Sequence, residues 1–251
     1  MILIKPKYSS MTSITVLNKA RVLRLWLALT VFVVWPGLAH AQNPPRPLPV
    51  GESISYTIKK FGVKVGEATL AFGGLEKIEG REFYRITFVA KAPNFFDEEK
   101  IFIDPQTFYP RLVQRNLNIF GKKERITEHY DAASGDIKIV KEAGGKISEQ
   151  VIAGKKNADN IYCFLYRFRG QGKADKGLKF TMQLPTKNVQ LEVKDKSKVK
   201  VAGRTYEAVY LESDPKEYKI WFEAGPRLVP LRIDGAMGIV NTSLVLSEYH
   251  P

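Results

Sequence analysis

The chain of 251 residues is poor in the side chains that do most enzyme chemistry: it has one cysteine and three histidines. Cys163 has no second cysteine to pair with, so no internal disulfide forms and stability must come from the core. His40, His129 and His250 are the only histidines, and His250 is the penultimate residue, which excludes a His-rich metal site. No nucleotide-binding or metal-ligand motif is present either, so neither cofactor nor metal is expected. Long apolar runs are also missing. The apolar stretch Leu25 to Val34 is about 10 residues, against roughly 20 needed for a helix to cross a bilayer.

What is present begins with an ordered leader. Lys19, Arg21 and Arg24 precede that short apolar run, and Ala39-His40-Ala41 supplies small residues at a cleavage site. Charge, apolar core and small-x-small are the features an export peptidase reads. Residues 1–41 are therefore expected to be a signal peptide cleaved after Ala41, giving a periplasmic or secreted protein. Met1 and Met11 are alternative starts, and neither changes the mature chain. No cysteine follows the apolar run, which argues against a lipid anchor on the mature amino terminus.

The leader carries no acidic residue, and the remainder carries 34 basic against 26 acidic residues, a net charge of +8. A basic exported protein meets anionic lipid head groups or acidic polysaccharide more often than nucleic acid, so an anionic amphipathic envelope ligand or an envelope protein is the expected partner. Solubility alone explains the same charge. No nucleic-acid partner and no membrane-spanning segment of the mature chain are expected.

Pro44, Pro45, Pro47 and Pro49 make residues 42–50 a Pro-rich linker of extended geometry, and a single β-rich domain is expected over 51–251. Two-residue alternation dominates that domain: Ile54, Tyr56 and Ile58 share one strand face, and Tyr84, Ile86, Phe88 and Ala90 another. The phase of Val63 and Val65 differs from that of Ala68, Leu70 and Phe72, which places a bulge near Gly66-Glu67. Gly73-Gly74, Ser134-Gly135-Asp136 and Gly144-Gly145 read as turns, and Ala202-Gly203-Arg204 as a hairpin. Ile161, Phe164, Leu165 and Phe168 recur at helical spacing, predicting one helix over about 159–169 with Asp159 capping its start. The fold class is thus mainly β: an antiparallel, strongly curved sheet or half-barrel with one short helix, its concave side filled by side chains, by the helix or by a ligand.

Several residue groups are candidates for function, each with a plainer explanation. Phe95, Phe96, Tyr162, Phe164 and Phe168 suit the lining of an apolar ligand pocket, but core packing explains the same residues and is the preferred reading. Lys194, Lys196 and Lys198, with Lys200 in the same parity and Lys187 nearby, make an anion-binding stripe if the strand is continuous. If Asp195-Lys196-Ser197 is a turn, they are its solvated flanks, and this reading is preferred. Trp221 with Arg227 and Arg232 suits stacking or acid binding, against ordinary barrel packing. Asp97, Glu98 and Glu99 are the only tight acidic group. They follow Pro93-Asn94-Phe95-Phe96 and read as a solvated acidic turn rather than a catalytic pair. Cys163 lies mid-helix and reads as a packed thiol. No residue is assigned a catalytic role.

Gly51-Glu52 followed by Tyr56, Gly62, Gly66 and Glu67-Ala68 resembles the opening of the bacterial exported protein family catalogued as domain of unknown function 3108. Asp104, Thr107 and Pro110, Tyr130-Asp131, the stretch Asp159 to Arg169, and Trp221 with Arg227 to Ile233 are similar to its later landmarks. The resemblance covers roughly residues 51 to 249. It implies an exported protein and supplies neither an activity nor catalytic residues. By architecture alone the chain is also similar to periplasmic lipoprotein carriers, in which an open barrel shelters acyl chains under a helical lid. The expected function is a non-enzymatic envelope binding protein, either a carrier or chaperone for an amphipathic, lipid-like ligand or a protein-interaction module working through an exposed strand edge. An envelope hydrolase is the least favoured reading.

Overall fold

The computed structural model describes residues 50–237 and 241–251; the leader, with its Ala39 and Ala41 cleavage site, and residues 42–49 of the Pro-rich linker lie outside them. Among the described residues the chain first lays down an antiparallel meander. Its strands are β1 (Ser53–Lys60), β2 (Val63–Ile78), β3 (Arg81–Ala92), β4 (Phe95–Ile103), β5 (Pro110–Ile119), β6 (Lys122–Tyr130), β7 (Ile137–Ala143) and β8 (Lys146–Ile152). The helix α1 (Ile161–Gln171) follows. The chain then returns through β9 (Lys179–Leu184), β10 (Lys187–Val193), β11 (Ser197–Val201), β12 (Arg204–Asp214), β13 (Lys219–Glu223), β14 (Pro230–Asp234) and β15 (Thr242–His250).

All strands join one antiparallel sheet in the order β8-β7-β6-β5-β4-β3-β2-β1-β15-β14-β13-β12-β10-β9, with β11 paired to β12 beside β10. The first and last strands therefore meet at the centre of the sheet, and β8 and β9 are its two edges. The sheet curves without closing, since among the described residues these edges do not pair.

Alternation decides which face is buried. Ile54, Tyr56 and Ile58 of β1, Ala68, Leu70 and Phe72 of β2, and Ile86, Phe88 and Ala90 of β3 all point to the concave side and are buried. The register of β2 against β1 slips between Ile58 and Lys59, opposite Gly66 to Lys64, where the phase of the sequence places a bulge. Glycine is required there by space: a Cβ on Gly66 would sit 2.3 Å from the Lys91 carbonyl oxygen. Gly73-Gly74 is a correction. These residues do not turn the chain but form a second irregularity inside β2, between Phe72 and Leu75, and the turn falls at Glu79-Gly80. Two glycines at a bend let a 16-residue strand follow the curvature that its inner face needs.

The helix starts two residues later than its periodicity suggests. Asn160, not Asp159, caps it by accepting from the Tyr162 N–H at 2.9 Å, and Gly172 in left-handed geometry ends it. Asp159 is instead drawn into an ion pair with Arg167, Nη1 lying 3.0 Å from Oδ1. Nine of the eleven helical residues are buried, as expected of a helix that is apolar on nearly every side. It lies against strands from both halves of the sheet. Tyr162 stacks on Phe88 at 4.3 Å, Tyr166 meets Phe72 at 4.9 Å, and Phe168 meets Phe222 at 4.7 Å and Phe180 at 5.3 Å. Each such ring removed from water stabilises the fold by about 1.5–3 kcal/mol, so α1 is the central column of the core.

Candidate functional site

The aromatic residues of α1 lie in this packing. Tyr162, Phe164 and Phe168 are buried and in ring contact with other core residues, and Phe95 is half-buried against the same cluster. The concave volume in which they were candidates for lining a ligand pocket is filled by α1 itself. Phe96 has the opposite parity and lies on the outer face.

The basic stripe is not continuous. β10 ends at Val193 and β11 begins at Ser197, so Lys194 and Lys196 sit in or beside a loop while Lys198 is on the next strand. Lys194 is paired with Glu192 at 2.9 Å and Lys198 with Glu207 at 3.5 Å. Trp221 stacks on Tyr210 at 4.8 Å with the Arg232 guanidinium 4.9 Å from its ring, and Arg232 is held by Asp234. Arg227 is exposed in the β13–β14 connection, 5.9 Å from the Tyr249 ring. These residues are separate pieces of surface and core rather than one site.

The acidic group departs furthest from expectation. Asp97, Glu98 and Glu99 are not a solvated turn, because the turn is completed at Pro93-Asn94 and β4 begins at Phe95. Asp97 (2% exposed) and Glu99 (7% exposed) alternate in phase with Ile101 and Ile103 and face the interior, while Glu98 faces out. Burial is tolerated because partners are supplied. Arg115 donates to Asp97 through Nε at 2.8 Å and Nη2 at 2.6 Å. Asn160 donates to Glu99 at 2.5 Å, and Tyr130 donates to Glu128 at 2.5 Å. Desolvation pushes the Glu99 carboxyl up to about 7, with Arg115 pulling the other way and Asp97 adding to the rise. Glu128 is raised by the same desolvation. With these partners the cluster fastens β4, β5 and β6 to the amino end of α1. Cys163 is fully buried, and desolvation raises its thiol pKa well above the ordinary value.

The two sheet edges differ. Along β9, Ala158 forms a parallel bridge with Gln183, and the Asp159 N–H reaches the Gln183 carbonyl at 2.6 Å, so the segment leading into α1 pairs with that edge at one position. Among the described residues β8 has a strand neighbour on one side only. Six of its seven residues are exposed. Ile147 and Val151 are exposed on one face with Glu149, paired to Lys138, between them. Beside the β7–β8 turn lies an open depression of about 600 Å³ lined by Phe96, Asn116, Arg125, Glu142 and Ile147. The sequence does not single out β8, although an alternating segment with isoleucine and valine on the face away from the core is the signal that marks it.

Residues 53–244 match the family described as a protein of unknown function, DUF3108, and the chain belongs to that family. No curated protein matches the sequence. Among solved structures, the chain is similar to a β-barrel-like protein of domain of unknown function DUF1849 from Brucella abortus. The likeness has 14% identity and a TM-score of 0.46, covering 80% of this chain and 97% of that one. A candidate exported protein with a YmcC-like fold from Bacteroides fragilis is aligned at 8% identity and a TM-score of 0.28, over 83% and 99% of the two chains. A candidate lipoprotein from Parabacteroides distasonis is aligned at 10% identity and 0.29, over 81% and 97%. No helix among the described residues is long and apolar enough to cross a membrane.

Proposed function

We propose that this chain is an exported, non-catalytic binding protein of the cell envelope, and that its partner is an extended segment of another polypeptide added to the sheet along β8. The supporting observation is the asymmetry of the edges: β9 is met at Gln183 by the chain's own segment, whereas among the described residues β8 has no neighbour on its outer side and offers a row of backbone groups to a guest strand. Strand addition draws affinity from main-chain hydrogen bonds and specificity from alternate side chains. Seven residues offer about 23 Å of edge. Ile147 and Val151 give the guest two apolar contacts on one face. The leader pattern of residues 1–41 supports export. The carrier reading loses support because α1 occupies the concave side, and a hydrolase loses support because the buried carboxylates among the described residues are engaged by neighbours.

A photo-crosslinking residue at Ser148 or Gln150 in cells tests this. A discrete protein adduct is expected that weakens when Val151 is changed to Pro, and amides of β8 should exchange more slowly in the recovered complex. An adduct equally abundant from Lys198, or no adduct at Ser148, rejects the edge as the binding site.

A further inference from the structure

The turns β1–β2, β3–β4, β5–β6 and β7–β8 all lie at one end of the sheet, because the strands form a meander. Two of them are Phe-Gly. Phe61 and Gly62 have φ of 50° and 84°, and Phe120 and Gly121 have 52° and 82°. Positive φ at both central positions is the geometry for which Asn-Gly is preferred, and a bulky residue there is a true outlier. The β3–β4 turn has the expected residue, Asn94, at φ 59°. Two other bulky residues with positive φ, Phe108 and Leu228, are buried, so core packing offsets their strain. Phe61 and Phe120 are 75% and 77% exposed. The Phe61 and Phe120 N–H groups donate to the Asn241 and Asn94 carbonyls, and Glu79-Gly80 and Ala202-Gly203 adopt the same pair of positive φ angles, so what sets the Phe-Gly turns apart is the large exposed ring.

The half of this rim formed by β1 to β8 is rich in lysine, while Glu217 and Asp234, at the same end in the other half, are paired with Lys187 and Arg232. Lys59 and Lys60 precede Phe61, Lys91 precedes the β3–β4 turn, Lys122 and Lys123 follow Phe120, and Lys146 follows the β7–β8 turn. None of these six makes an ion pair within 4.0 Å among the described residues, whereas Glu67 and Glu124 nearby are matched by Lys64 and Lys141. The opposite end has Asp104, Asp131 and Asp136 in its connections and is mixed in sign. Four strand spacings separate the two Phe-Gly turns, about 19 Å along the sheet. Two aromatic tips this far apart, with cations between and around them, match a broad surface that is anionic outside and apolar beneath.

We propose that this rim docks on an anionic phospholipid bilayer, Phe61 and Phe120 entering the interfacial layer while the flanking lysines meet lipid phosphates. The attraction of the lysines is screened by salt, and the contribution of the rings follows the apolar area they remove from water. The proposal is separate from the β8 edge, which lies along the side of the sheet.

Sedimentation of the protein recovered from an exporting host with vesicles made of equal parts phosphatidylglycerol and phosphatidylcholine is the test. The protein is expected to bind these vesicles, to bind phosphatidylcholine alone weakly, and to be released by added salt. Phe61→Asn with Phe120→Asn places the preferred residue in both turns, so thermal stability should hold or rise while vesicle affinity falls on the order of tenfold or more. A Val151→Pro chain should bind vesicles as the original does. Failure of the original protein to sediment, equal binding by the double variant, or equal binding to neutral vesicles overturns the proposal.

Discussion

Arg169, in the last turn of α1, donates from both terminal nitrogens to the two carboxylate oxygens of Glu52, at 2.6 and 2.5 Å. Glu52 stands 117 positions earlier, just ahead of β1, so the contact ties the helix to the strand that begins the sheet. Both side chains are buried, and both have further partners. Arg169 Nε donates to the Arg227 carbonyl at 3.1 Å, and the Tyr249 hydroxyl donates to Glu52 at 2.9 Å. Four distant parts of the chain therefore meet at one ion pair.

Removing one member of this pair strands the other charge away from water. Arg169→Met should cost about 3–5 kcal/mol, measured as a shift in urea midpoint. Adding Glu52→Gln to it should restore part of that loss, because the double variant no longer buries an unpaired charge. A double variant as unstable as the sum of the two single ones would show that the two residues act independently.

Cys163 should be silent toward thiol reagents in the folded protein, since it is fully buried and its thiol is held protonated. Labelling in native buffer should be slow, and its rate should rise with urea in step with unfolding. Rapid labelling without denaturant would mean that α1 leaves the sheet on its own.

Periodicity in the sequence reveals the strands, the bulge at Gly66 and the helix α1, because an apolar residue at every second or every third-to-fourth position has only one way to be buried. It does not reveal Asp97 and Glu99, which occupy inward positions of β4 with carboxylates. Only Arg115, one strand away, and Asn160, at the helix start, make that burial tolerable. The Glu52–Arg169 pair is hidden for the same reason, as neither residue announces a partner so far along the chain. For Lys194, Lys196 and Lys198 the sequence leaves two readings, because parity implies a shared face only while a strand continues, and the loop at 194–196 agrees with the preferred one. The Phe-Gly-Val-Lys and Phe-Gly-Lys-Lys stretches are legible in principle as turns with the wrong first residue. Their exposure becomes apparent only when the turns are assembled at one rim.

Gly66→Ala should destabilise the fold by about 1–3 kcal/mol, the usual range for forcing extra volume into a packed site. Its Cβ would meet the Lys91 carbonyl oxygen at 2.3 Å and the Ala92 Cβ at 2.8 Å, and backbone cannot swing aside as a side chain does. Gly74→Ala is the control, as its nearest neighbour is the Val50 Cγ1 at 3.4 Å. A thermal scan should show the first change lowering Tm by several degrees and the second leaving it within the range of a surface change.

Glu99 should make stability fall as pH rises through neutrality. Burial pushes its carboxyl up to about 7 from an ordinary value of 4.5, so between those limits the folded chain holds a proton that the unfolded chain releases. Its stabilising contribution is complete below the unfolded value and is lost as pH climbs through the folded one. The slope in that window approaches about 1.4 kcal/mol per pH unit for one such group. Glu128 and Asp159 are also raised by burial and act in the same direction, so the chain as a whole should be more resistant to urea at about pH 5 than at about pH 8. Glu99→Gln keeps an acceptor for Asn160 and cannot ionise. It should therefore flatten the profile and make the variant relatively more stable on the alkaline side. An unchanged slope in that variant would assign the bound proton to Glu128 or Asp159 instead, and their own glutamine and asparagine variants would then carry the effect.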